Sequence, residues 1–184
     1  MIITISGKPG SGKTSLARAL AKVLHYKHYS IGEIRRKMAK DMGISLQEFN
    51  KLGEKKDFTD KKVDEYQIKL GKEKDNFVID GRLSYYFIPH AFKILLVAEE
   101  RVRAERVYRD IKKRTGERYA SFQEALEKIR ERDESDRKRY LKYYGLKDFE
   151  DPKRFDLVLD TTHTTVEEAV EKVLEALKAK GKLF

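Results

Sequence analysis

Near the start of the chain, Gly7-Lys8-Pro9-Gly10-Ser11-Gly12-Lys13-Thr14 sets phosphate-binding residue types in the G-x-x-x-x-G-K-[ST] spacing of a P-loop. Gly7, Gly10 and Gly12 allow a tight turn whose N–H groups approach phosphate oxygens with no Cβ in the way. Lys13 supplies a point charge for β- and γ-phosphates, and the Thr14 hydroxyl a hard oxygen for Mg²⁺. The expected chemistry is binding of a nucleoside triphosphate, ATP with Mg²⁺, with Gly7, Lys8, Pro9, Gly10, Ser11, Gly12, Lys13, Thr14 and Ser15 around it. Asp80, which follows the apolar run Phe77-Val78-Ile79, is a second oxygen donor for the metal.

Arginines recur where the phosphates should lie: Arg36, Arg82, Arg130, Arg132, Arg137 and Arg139, with Arg103, Arg106, Arg109 and Arg114 on a preceding stretch. Phosphoryl transfer spreads charge over the transferred oxygens, so fixed cations supply much of the catalysis. Lys13, Arg132 and Arg109 are the expected catalytic cations. Arg103, Arg118 and Arg154 read instead as exposed ion-pair partners. Four histidines, at 25, 28, 90 and 163, have no metal-ligand spacing and read as structural or exposed.

To position these groups the chain must alternate strands and helices. Met1 to Ile5, Phe77 to Ile79, Lys93 to Ala98 and Phe155 to Leu159 read as buried strands, and Lys27 to Ser30 as a short extended piece. Helices are expected over 13–25, 33–42, 58–74, 100–114, about 121–144 and from Thr165 onward. Ser45-Leu46-Gln47-Glu48 and Ser121-Phe122-Gln123-Glu124 have capping-box spacing. On 58–74 the apolar side reads as Val63, Tyr66, Ile68 and Leu70. On the last helix the buried stripe is Val166, Ala169, Val170, Val173, Leu174 and Leu177. The helical stretch 30–75 is too long for an ordinary crossover and reads as an inserted part. Apolar strands alternating with helices argue for a parallel sheet covered on both faces, with ligands at the strand C-terminal ends.

The chain has 184 residues, room for one domain with a proper core, and no apolar run long enough to span a membrane. It has no cysteine, which excludes disulfides and fits a cytoplasmic location. Charged residues make up 39% of it, while asparagine occurs only at 50 and 76 and glutamine only at 47, 67 and 123, a pattern of thermophile proteins. The net charge of +10 asks for an anionic partner. Because the basic residues are interleaved with acidic ones, small nucleotides fit better than nucleic acid or a membrane surface.

Several segments together resemble the nucleoside monophosphate kinases, above all the archaeal-type cytidylate kinases, over nearly the whole chain. Ser30-Ile31-Gly32-Glu33-Ile34-Arg35-Arg36 is similar to the family segment whose arginine clamps the acceptor monophosphate, a role that falls to Arg36. Asp80-Gly81-Arg82 resembles the cytidylate-kinase E-G-R segment, its arginine contacting acceptor phosphate or base. Arg132-Asp133-Glu134-Ser135-Asp136-Arg137-Lys138-Arg139 resembles the signature R-D-x-x-D-R-x-R. By that likeness Arg132 and Arg139 bind phosphate, and Asp136 the acceptor's ribose. Phe155 to Thr161 resembles the strand before the loop that receives the donor adenine.

The resemblance implies a P-loop NTPase-type α/β fold: a parallel five-stranded sheet flanked by helices, with an acceptor-binding helical part at 30–75 and a short lid at 112–122. It implies Mg·ATP as donor, CMP or dCMP as acceptor, and a monomer. The acceptor site would comprise Ser30, Arg36, Asp80, Gly81, Arg82, Arg132, Asp136 and Arg139. The alternatives are another small P-loop kinase acting on AMP, UMP or a metabolite, a kinase-like ATPase binding RNA or a ribosomal partner, and a nucleotide-binding regulator without turnover.

Overall fold

In the computed structural model, which describes residues 1–115 and 119–183, strands and helices alternate. Strand β1 (Ile2–Gly7) leads into helix α1 (Lys13–Leu24) and strand β2 (Lys27–Ser30). Helices α2 (Ile31–Asp41), α3 (Leu46–Lys55) and α4 (Phe58–Glu73) fill the stretch before strand β3 (Phe77–Asp80). Then come helix α5 (Ser84–Phe87), strand β4 (Phe92–Val97), helices α6 (Glu100–Thr115) and α7 (Phe122–Tyr144), strand β5 (Leu157–Asp160) and helix α8 (Val166–Ala179). The strands form one parallel sheet in the order β2-β3-β1-β4-β5. This is the expected α/β sheet flanked by helices.

Alternation along β1 explains the two layers. Ile3 and Ile5 face α1 and α8 in a core that includes Leu16, Leu20, Val170, Val173 and Leu177. Ile2 faces the other way, where Phe77 and Ile79 of β3 meet Ile31, Val63, Leu70 and Ile88. Ser30 pairs with Asp80 and Val97 with Asp160, so the strand C-terminal ends are aligned at one edge. The boxes at Ser45 and Thr165 form in full, each hydroxyl accepting from the N3 amide while Glu48 or Glu168 returns to the cap. At Ser121 only the hydroxyl half forms, and Glu124 reaches Ala120 N instead.

Two expectations need correction. On α4 the buried side is Thr59, Asp60, Val63, Gln67, Leu70 and Gly71, while Tyr66 and Ile68 are exposed. The buried positions recur every three or four residues; 68 falls on the opposite face and 66 at the margin of the stripe, so helical phase overrides hydrophobicity. Strand β5 begins at Leu157, because Pro152–Arg154 form a 3₁₀ turn capped by Phe155.

Beside this stripe the half-buried Asp64 accepts the hydroxyl proton of Tyr144 from α7. Burial pushes its carboxyl from 3.8 up to about 6, against the lowering effect of the Tyr144 bond. The folded protein therefore holds a proton that the unfolded chain gives up between those values, and stability falls as pH rises through that window. Asp64→Asn is expected to add about 1 kcal/mol at pH 7.5, allowing for partial exposure. That corresponds to about 2–4 °C in Tm, with little change at pH 4. Melting curves at both pH values check this; an equal shift at each would contradict it.

Candidate active site

The turn after β1 is built to expose amides. Gly10 has φ +79°, and a Cβ there would sit 2.3 Å from the Arg103 carbonyl oxygen, so the loop can lie against α6 only without a side chain. Gly12, at φ +93°, is the N-cap of α1 and offers no side-chain cap. The first-turn amides of α1 are thus left for an anion, with the positive end of the helix dipole behind them. Lys13 Nζ donates to the Lys8 carbonyl at 2.8 Å. Burial, then repulsion from Arg82, lowers its pKa to about 7, with Asp80 acting in the opposite direction and Arg132 adding to the lowering.

Asp80, at the end of β3, is 2% exposed and gathers three partners. Its Oδ2 accepts from Thr14 Oγ1 at 3.0 Å and from Ser30 Oγ at 3.1 Å, and its Oδ1 lies 2.7 Å from His28 Nε2. A hydroxyl and a carboxylate side by side are hard oxygens that fit Mg²⁺, which draws most of its ligands from water and phosphate. No group of three His, Asp or Glu side chains that could hold a metal forms among the described residues. Ser30 also caps α2, its hydroxyl accepting from Glu33 N. It does not line the cleft; its neighbours Ile31 and Gly32 do.

A cleft of about 630 Å³ opens over the strand ends, between the P-loop and residues of α2, α3, α6 and α7. Into it come Gly10 to Ser15, Arg36, Asp80, Gly81, Arg82, Arg132, Asp136 and Arg139. Arg36 lies over Gly32, where a Cβ would meet its guanidinium at 3.5 Å. Arg132 is half-buried; burial, then Arg82, lowers its pKa. Arg139 is 1% exposed and pairs with Asp60 of α4 and Asp136. Asp136 in turn takes Arg82 Nε at 2.7 Å. Four positive groups hold its carboxyl below the ordinary range against the raising effect of burial. Gly7 and Lys8 stand outside the lining, with Lys8 paired to Glu150 at 3.7 Å.

Several sequence readings land elsewhere. Arg130 and Arg137 are exposed and paired, with Glu100 at 2.7 Å and Glu134 at 3.5 Å, because α7 turns only the phase of 132, 136 and 139 inward. Arg109 is exposed on α6 and outside the lining. Arg106 lines the cleft instead, bonding the Gly10 carbonyl at 3.3 Å and both oxygens of Thr161. Arg103, expected on the surface, is 4% exposed and donates to the Pro9 carbonyl at 3.2 Å. Arg154 is exposed, as expected. Tyr140 both packs in the core and lines the cleft. The expected lid at 112–122 includes Gly116 to Arg118, which lie outside the described residues, as does the Arg114 side chain.

Sequence reasoning missed Arg35, Asn50 and Asp60. Arg35 donates to Asp60 at 3.1 Å and to Asn50 at 3.0 Å, at the α2–α4 end of the cleft. The signal was the α4 stripe, which carries Asp60 inward. His28 gave none, since its contact depends on the β2–β3 register.

The chain matches the cytidylate kinase-like family over residues 2–163. The cytidylate kinase of Pyrococcus abyssi is 46% identical over 163 residues, 88% of this chain and 85% of the relative. That of Pyrobaculum islandicum is 40% identical over 177 residues, 95% of this chain and 91% of the relative. Among solved structures, the shikimate kinase of Aquifex aeolicus superposes with a TM-score of 0.60 at 20% identity, covering 98% of both chains. A gluconokinase from Sinorhizobium meliloti does so at 0.61 and 18%, covering 97% of this chain and 91% of its own. At such identities the likeness concerns the fold alone, that of a P-loop kinase.

Proposed function

The chain belongs to the cytidylate kinase-like family, and from that premise we propose how its cleft works: it transfers the γ-phosphate of Mg·ATP to CMP or dCMP. The protein is a nucleotide-binding phosphotransferase, a nucleoside monophosphate kinase. The observation that carries the site reading is electrostatic. Lys13, Arg82 and Arg132 converge on one cleft, and each arginine's charge depresses the Lys13 pKa. Such mutual repulsion is relieved when anions lie between the cations.

In this reading the P-loop amides from Gly7 to Ser15 and Lys13 hold the donor phosphates, and Arg36, Arg82 and Arg132 hold the acceptor phosphate. Gly81 shapes the floor between them, and Ser30 supports it from behind by donating to Asp80. Asp136, fixed by Arg82 and Arg139, faces the acceptor's ribose. Thr14 and Asp80 would hold Mg²⁺, which when bound neutralises charge on the β- and γ-oxygens. An oxygen of the acceptor phosphate attacks the γ-phosphorus, the bond to the β,γ-bridging oxygen breaks, and its electron pair leaves with ADP. The acceptor is already an anion, so no side chain need act as its base.

We read 1–184 as one kinase domain, with 30–75 on the acceptor side and 112–122 as lid, acting as a cytoplasmic monomer. Composition favours a thermophile source, and no helix among the described residues is long and apolar enough to cross a membrane. Family membership disfavours the RNA-binding alternative. The test is ADP release from Mg·ATP at high temperature with CMP, dCMP, UMP, AMP and GMP in parallel. Rapid turnover with CMP, and slow turnover at most with AMP, is expected. Turnover with none of them would overturn the proposal.

A further inference from the structure

Arg82 is held by more than its substrate would need. Its Nε is taken by Asp136 at 2.7 Å and its NH2 by Asp133 at 2.6 Å. Its NH1 is buried and has no hydrogen-bond partner among the described residues. A guanidinium is planar, so fixing two of its nitrogens fixes the third. Two carboxylates thus set the orientation of Arg82 where it lines the cleft.

Asp133 does not line the cleft, yet its other oxygen leads to the donor side. Asp133 Oδ2 lies 3.4 Å from Arg103 NH1, and the same NH1 donates to the Pro9 carbonyl of the P-loop at 3.2 Å. The Arg103 main chain also abuts Gly10, where no Cβ would fit. Arg103 is 4% exposed, and the Asp133 side chain only 15%. Arg82, Asp133, Arg103 and Pro9 therefore form one buried strut, and α7 carries its centre beside Arg132.

We infer that Asp133 is a positioning residue: by tying Arg82 to Arg103, it fixes the acceptor-side cation relative to the donor loop. This rests on the kinase reading above, with Arg82 contacting the acceptor or transferred phosphate. A donor and an acceptor phosphate react only when aligned within a fraction of an ångström, so slack in this strut costs turnover more than binding. Asp136 cannot replace it, since its other oxygen is committed to Arg139.

The test compares kcat and both KM values for wild type, Asp133→Asn, Arg103→Lys and the double variant, well below the lowest Tm. Asparagine keeps the shape of Asp133 but cannot accept from both arginines as a carboxylate does. Lysine keeps the Arg103 charge but cannot bridge with a planar fork. Each single variant is expected to lower kcat about 30-fold with both KM values within threefold. The double variant should be no more than about twofold worse than the poorer single, because one strut is broken twice. A lower Tm is expected of any broken buried ion pair and decides nothing; KM values rising with the loss of kcat, or effects that multiply, overturn the inference, as does a kcat within threefold for Asp133→Asn. Arg103→Lys keeps the test available should Asp133→Asn not fold.

A second readout needs no turnover. In arginine-labelled protein, the Nη protons of Arg82 should be resolved, reporting hindered guanidinium rotation, and should merge in Asp133→Asn. Merged signals already in the wild type would sink the strut. A wild type inactive on CMP but with resolved signals would sink the kinase reading alone.

Discussion

Lys13→Ala is expected to lower kcat with CMP by about 10³-fold or more, the largest effect of any single change in this protein. Lys13 begins α1, its ammonium is anchored to the loop by the Lys8 carbonyl, and it shares the cleft with Arg82 and Arg132. Neither arginine can take its place, because Arg82 is pinned by Asp133 and Asp136 and Arg132 is fixed on α7. The lost interaction is with charge that grows on the β,γ-bridge, so kcat should fall far more than affinity for ADP. The same variant should melt no lower than the wild type without nucleotide at pH 7. A half-buried lysine with a pKa lowered to about 7 disfavours the fold below its unfolded value of 10.5, since the unfolded chain holds the proton more tightly. Activity and stability would then separate, as they do where a site stores repulsion for its ligand. A kcat within tenfold of wild type would remove Lys13 from the catalytic set.

Arg132→Ala should have the second largest effect, a loss of about 10²- to 10³-fold in kcat/KM for CMP with the KM for ATP changed only a few-fold. Arg132 lines the cleft from α7, and burial and the nearby Arg82 charge lower its pKa, with Asp136, Tyr119 and Asp133 acting the other way. A cation kept in such surroundings is compensated best by an anion in front of it. Arg132→Lys should recover only part of the loss, since an ammonium does not reproduce the two-pronged donation of a guanidinium to phosphate. Steady-state kinetics with CMP varied at saturating ATP reads this directly. If both kcat and KM stay within a factor of two in Arg132→Ala, the role assigned to Arg132 is wrong.

What was legible in the sequence depended on distance along the chain. The P-loop could be read because its parts lie within eight residues and glycine positions encode its backbone. Parallel strands could be read because burial on both faces leaves continuous apolar runs such as Ile94-Leu95-Leu96. The cap at Ser45 could be read because a capping box closes over three residues.

The arginines show where such reading stops. By residue type the ten looked alike; a motif likeness picked out Arg132 and Arg139, and packing turned these two inward while leaving Arg109, Arg130 and Arg137 exposed. Arg103 looked like a surface ion-pair partner until α6 was laid against the P-loop, and Asp60 like one more charge until α4 turned it toward Arg35 and Arg139.

The sequence by itself thus determined that a phosphate-binding turn sits at the edge of a parallel sheet, and that cations are plentiful enough to serve it. Tertiary structure decided which cations line the cleft and which carboxylates hold them. A single degree of helical phase or strand register is set by every contact an element makes. Partners such as His28 with Asp80, 52 residues apart, or Asp60 with Arg139, 79 apart, meet only when all those contacts are satisfied together.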